Sequence, residues 1–175
     1  MFKAIQEKFK VKAGQRSLNE ELQKPRSFSN KQGISAVGCI VDMDKFEDAE
    51  RFQSLRQLLK LTPNAIQIIG YKKDDDKQGM FSIAFCTDKD LGWNGTIENS
   101  DFAEFSGRQY DLLINYFLDD RLLLKLMSAK VNARIRVGVK HADSALNDLI
   151  FDCGLGDFEI FQKELKKYLE ILNEL

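Results

Sequence analysis

Ile34-Ser35-Ala36-Val37-Gly38-Cys39-Ile40-Val41 is an almost unbroken apolar run that ends on Asp42. Such a run offers no polar face to water, so it predicts a central strand covered on both sides. The period then changes. Ala49, Phe52, Leu55 and Leu59 keep three- and four-residue spacing, with Glu50, Arg51, Arg56 and Lys60 between them, which predicts an amphipathic helix. Thr62-Pro63-Asn64 stops it, and residues 65–71 (AIQIIGY) form the next strand. Strand, helix and strand at this spacing favour a right-handed parallel crossover.

Downstream the pattern recurs. A charged connection over 72–79 (KKDDDKQG) leads to a third strand over 80–86, whose direction the pattern leaves open. An irregular stretch over 87–99 follows, and Ser100 begins a short helix through Phe105. Residues 111–117 (DLLINYF) form a fourth strand, and Leu122, Leu123, Leu126 and Met127 form one helical face. Residues 134–139 (RIRVGV) form a fifth strand, with Ile135, Val137 and Val139 inward and Arg134 and Arg136 outward. A short strand over 149–152 comes next, then a final helix striped by Phe158, Phe161, Leu165, Leu169 and Leu172. Two β-α-β units with further strands predict an α/β fold: a three-layer Rossmann-like sandwich whose mostly parallel sheet has about six strands.

Residues 1–31 differ from the 33–175 domain. They carry eight Lys/Arg against three Glu and form a basic helical N-terminal arm. Phe2, Ile5 and Phe9 share one face of a short helix, and Ser17-Leu18-Asn19-Glu20 has a capping-box pattern that starts a second one over 18–24, before Pro25. The last 35 residues carry eight Asp/Glu against three Lys, so the arm has three candidate resting places: RNA or a ribosome, an acidic protein surface, or its own acidic C-terminal helix. It lacks the Arg-rich, aromatic-interleaved pattern of an RNA binder, and DNA is not expected.

The 175 residues fit one domain, and 43 % hydrophobic with 30 % charged residues excludes a disordered chain. The formal net charge of -1 gives no global field toward nucleic acid or anionic lipid. The N-terminal stretch has no apolar core of a secretory signal, and the longest charge-free apolar run, 33–41, falls far short of the roughly 20 residues of a membrane span. Cys39, Cys86 and Cys153 are far apart and odd in number, as free thiols in a reducing cytoplasm are.

If the first and fourth strands are neighbours, the crevice beyond their carboxyl ends is the default ligand site. Asp42, Met43, Asp44, Asn115, Tyr116, Asp119 and Asp120 would line it. No GxGxxG or P-loop follows the first strand, and carboxylates there repel a pyrophosphate, which needs free amides at a helix start. Asp42-x-Asp44 with Asp119-Asp120 instead suggests the nucleophile, general acid and Mg²⁺ carboxylates of a haloacid-dehalogenase-type phosphatase. Bulky Phe46 departs from that pattern, and the plainer alternative is that Asp44 and Asp120 stabilise first helical turns. His141, the single histidine, is read as a surface-loop residue. The segment Lys89-Asp90-Leu91-Gly92-Trp93-Asn94-Gly95 presents the single tryptophan, either as an anchor on a binding loop or as a plug at the end of the core.

This segment, with Tyr110 through Asn115, Ala129 through Gly138, the basic arm and the strand ending at Asp42, resembles an uncharacterised family of about this length associated with Bacteroidota. The resemblance implies no catalytic residue. Tyr110 to Gly138 also resembles, more locally, the N-terminal half of heptosyltransferase-like glycosyltransferases, which implies a Rossmann-like fold. Taken together, these features predict a non-catalytic cytoplasmic binding or interaction module. Its candidate interaction residues are Lys89, Asp90, Trp93 and Gly95 with the arm, toward a protein partner and without a cofactor. The alternative is a metal-dependent enzyme acting on a phosphorylated small molecule at Asp42, Asp44, Asn115, Asp119 and Asp120, with Mg²⁺.

Overall fold

Apolar side chains on both faces of the 34–41 run place it at the centre of the sheet. In the computed structural model, which describes residues 1–27, 29–74 and 81–175, all six residues of β1 (Val37–Asp42) are buried. β2 (Ile66–Tyr71) lies on one side and β4 (Gln109–Tyr116) on the other, both parallel to it. β3 (Phe85–Cys86), β5 (Asn132–Val139) and β6 (Leu149–Phe151) complete an all-parallel sheet ordered β3-β2-β1-β4-β5-β6. The order reverses between β1 and β4, as in Rossmann sheets.

Side-chain alternation divides the core into two layers. Val37, Cys39, Val41, Leu112, Ile114 and Tyr116 face a 3₁₀ helix over Ala49–Ser54, its short continuation α2 (Leu55–Leu58), and α5 (Phe158–Ile171). Ile40, Ile69, Tyr71 and Leu113 face α1 (Phe2–Gln23), α3 (Ser100–Ser106) and α4 (Leu122–Ala129). This is the three-layer sandwich expected from the sequence.

Local differences have identifiable causes. The arm is one 22-residue helix rather than two short ones, because 10–17 contains no proline and Gly14 packs too closely for a break. A Cβ on Gly14 would lie 3.2 Å from Leu122 and 3.3 Å from Leu91. Ser17 is therefore inside the helix, and Leu18 behind it is 1 % exposed. The third strand is parallel and shrinks to Phe85–Cys86, while Met80 and residues 75–79 of the charged connection lie outside the described residues. Asn99, not Ser100, caps α3, accepting the Phe102 amide at 3.0 Å. Leu172 falls just beyond α5 and is exposed.

The fifth strand does not turn its arginines to water. Arg136 is buried and donates to Ser128 O (2.8 Å) and Val131 O (2.5 Å), closing the C-terminal end of α4. Burial and nearby Arg26 push its pKa down to about 10. Arg134 donates to Glu174 Oε2 (2.7 Å) and Gly33 O (3.0 Å). Strict alternation misleads here because helices cover both faces of β5, so polar positions must find partners inside the protein.

Candidate functional site

Val41 pairs with Tyr116 and Ile40 with Asn115, so the first and fourth strands share one C-terminal rim. Its two faces are filled differently. On the α2/α5 side, Phe46 leaves the turn after β1 and enters a cluster of rings. Its centroid is 5.0 Å from Tyr116, 5.6 Å from Phe158 and 5.9 Å from Phe52. Phe46, which departs from the phosphatase pattern, is thus a packed ring of the core on the face away from Asp42.

On the opposite face lie Asp42, Asn115 and Tyr71, all buried. Asp42 Oδ1 accepts the Asp44 amide at 3.1 Å, and Lys45 Nζ is 3.8 Å from Asp42 Oδ2. The same ammonium contacts Asp120. Lys125 lies between Asp119 (2.6 Å) and Asp143 (2.9 Å). Asp44 Oδ2 accepts the Lys73 amide at 2.7 Å. The rim carboxylates therefore meet lysines and amides. Among the described residues, no group of three or more His, Cys, Asp or Glu is placed to hold a metal ion.

Neither Asp44 nor Asp120 lies in a first helical turn. Asp44 lies in the turn before the 3₁₀ helix, whose N-cap is Asp48, and α4 starts after Arg121. Lys45 and Lys125 are the partners that motif reading missed. Their only signal was their position, one residue after Asp-x-Asp and one turn into the following helix.

Burial pushes the Asp42 carboxyl up, and Lys45 and the Asp44 amide offset it only in part. For Lys125, burial alone would lower the ammonium, but Asp119 and Asp143 outweigh it and raise it. Asp42 Oδ2 and Asn115 Oδ1 are buried acceptors without a hydrogen-bond donor among the described residues. Asn115 Nδ2 donates to Asn147 Oδ1 at 2.9 Å.

A carboxyl with a raised folded pKa favours the folded state at low pH and loses that contribution as pH rises through the folded pKa. Asp42→Asn should therefore raise the melting temperature at neutral pH, with the gain vanishing as pH falls into the carboxylate range. Thermal melts across pH check this. A lower melting temperature at neutral pH would show that the Lys45 contact outweighs burial.

The 89–95 segment is built around Asp90. Its Oδ2 accepts the Thr87 amide (2.7 Å) and Asn99 Nδ2 (3.3 Å). Leu91, not Trp93, enters the core. Trp93 is 51 % exposed, with Lys10 Nζ 5.5 Å above its ring. Gly95 has φ +71°, and a Cβ there would lie 2.6 Å from Ala13 O. Its role is to let α1 approach. Lys89 and His141 are exposed.

The arm and the Trp93 loop thus form one continuous structure. Ile5 and Phe9 lie nine residues before Gly14 and Leu18, and at about 100° per residue that places them on opposite sides of the helix. Gly14 and Leu18 pack on the domain, whereas Phe2, Ile5 and Phe9 are 76 %, 48 % and 62 % exposed. The C-terminal helix is not their resting place, since α5 covers the other face of the sheet. At the far end of the sheet, a cavity of about 260 Å³ includes Glu21, Lys24, Arg26, Lys130 and Arg136 in its lining. Glu21 pairs with Lys24 and Lys130 there, and Asp148 with Arg26.

The profile of a family of unknown function, DUF6913, matches residues 10–172. The chain belongs to this family. No curated protein and no solved structure matches it. The DUF6913 match takes in the six strands found among the described residues and starts immediately after Phe9, so it covers the sandwich and not the ridge of Phe2, Ile5 and Phe9. No helix is long and apolar enough to cross a membrane among the described residues.

Proposed function

We propose that this DUF6913 chain is a non-catalytic docking module that presents about the first three turns of α1, flanked by Trp93, to an anionic partner surface. One observation carries this: Phe2, Ile5 and Phe9 form an exposed ridge facing away from the domain, within residues 1–12, where four Lys accompany one Glu. Exposed aromatic clusters rimmed by charge mark interaction surfaces. At the rim of β1 and β4, by contrast, rings occupy one side and lysines bridge the carboxylates on the other. The three buried thiols suit a bacterial cytoplasm. The segment read as resembling heptosyltransferases falls on β4-α4-β5, a strand–helix–strand unit that by itself fixes no sugar-nucleotide chemistry.

The three native cysteines are buried, so a single added thiol reports on its own position. Ala4→Cys and Gln6→Cys, which flank the ridge and leave Phe2, Ile5 and Phe9 in place, are expected to react rapidly with a maleimide in the purified protein and slowly in intact cells. Glu159→Cys, at an exposed position of α5, should react equally in both. Equal reactivity at all three positions in cells would contradict docking through α1. Mg²⁺-dependent phosphate-ester turnover lost in Asp42→Asn would contradict the non-catalytic assignment.

A further inference from the structure

We infer that the anionic surface met by α1 is a lipid bilayer, on which its first three turns lie in the plane of the headgroups. This rests on the docking reading above and names its partner class. The ridge of Met1, Phe2, Ile5 and Phe9 is exposed along its whole length. Lys8 is exposed on its near flank and Lys12 in line with Ile5 two turns further on, while Lys3 and Lys10 leave the helix more than 90° from Ile5, Lys10 over Trp93.

Charge and shape decide between occupants. Pairing with α1 of a second copy would bring Lys3, Lys8, Lys10, Lys12 and Arg16 of one chain onto the same five cations of the other, with only Glu7 between Met1 and Arg16 to offset them. Docking on α5 of a second copy finds no acidic field, because Lys163, Lys166 and Lys167 accompany Glu159, Glu164 and Glu170 there. A nucleic acid satisfies the lysines but gives Ile5 and Met1 no apolar layer to enter. A bilayer with acidic headgroups supplies both layers at the required depths: phosphates for the lysines, and the acyl boundary a few ångströms below for the ridge. The weak global charge of -1 matters little here, since attraction acts within about 10 Å of the segment at 0.1 M salt.

The test is flotation of the purified full chain with phosphatidylglycerol-rich vesicles and with pure phosphatidylcholine vesicles. Binding is expected only to the former, weakening as salt rises. Phe9→Ser should lower the partition coefficient by roughly 10-fold or more, and Lys8→Gln by roughly 5-fold. Both side chains are exposed, so melting temperatures should match the wild type. Wild-type protein remaining with the buffer would overturn the bilayer, as would undiminished flotation of the Phe2/Ile5/Phe9→Ser variant. Tighter binding to homopolymeric RNA than to the acidic vesicles would overturn it too. If Gln6→Cys stays protected in cell lysates cleared of membranes, docking stands while the bilayer fails. If protection is lost on clearing, both stand.

Discussion

Phe52→Ala is expected to destabilise the protein by about 3–5 kcal/mol, the largest effect of any single truncation considered. Phe52 is fully buried. Its ring meets Phe158 at 4.9 Å and Tyr116 at 5.0 Å edge-on, with Phe46 and Phe161 further out. Truncation removes the transfer free energy of the ring and leaves a void that neighbours on β4 and α5 fill only in part. It also removes edge-to-face contacts worth roughly 0.5–1.5 kcal/mol each. Chemical denaturation measures the loss. A cost below that of an ordinary surface substitution would show that the rim is not closed by packed rings.

Asp111→Ala is expected to cost about 3 kcal/mol. Asp111 Oδ2 accepts the Ser35 amide and hydroxyl at 2.8 Å, the Ala36 amide at 3.0 Å and Lys31 Nζ at 3.0 Å. It ties the segment entering β1 to the start of β4. Truncation leaves two backbone donors without an acceptor in a half-buried place, where an unmade bond costs more than a made one contributes. Burial alone would raise this carboxyl, but the donors from Ser35, Lys31 and Ala36 outweigh it and hold its pKa below the ordinary value. A depressed carboxyl contributes stability that is present above its unfolded pKa and lost as pH falls through the folded one. The wild type should therefore lose stability in acid more steeply than Asp111→Ala. Parallel slopes in denaturation across the acid range would remove the ionised Asp111 from this account.

The sheet was legible because its signals are local and repeated. The run ending at Asp42, the break at Thr62-Pro63-Asn64 and the matching run ending at Phe117 give three of the strand positions directly, and parallel crossovers leave few arrangements for them. Arg136 was misread because a period of two shows which residues share a face, not whether that face meets water. The rim carboxylates were found by position, yet their partners Lys45 and Lys125 follow no motif spacing, since their contacts depend on how two turns meet in space. The exposed ridge was visible as Phe2, Ile5 and Phe9. That it faces away from the domain depends on Gly14 and Leu18 being the packed residues, which helical periodicity alone does not decide.

Amide hydrogen exchange on the free protein tests most directly the claim that α1 is half scaffold and half docking element. Residues 14–22 pack on α4 and the Trp93 loop, so their amides should exchange orders of magnitude more slowly than those of 5–12, which rest on helix propensity alone. Acidic vesicles should slow exchange over 5–12 and leave β1 and β4 unchanged. Uniform protection along α1 in the free protein, or slowing confined to the rim of β1 and β4 when vesicles are added, would contradict the account.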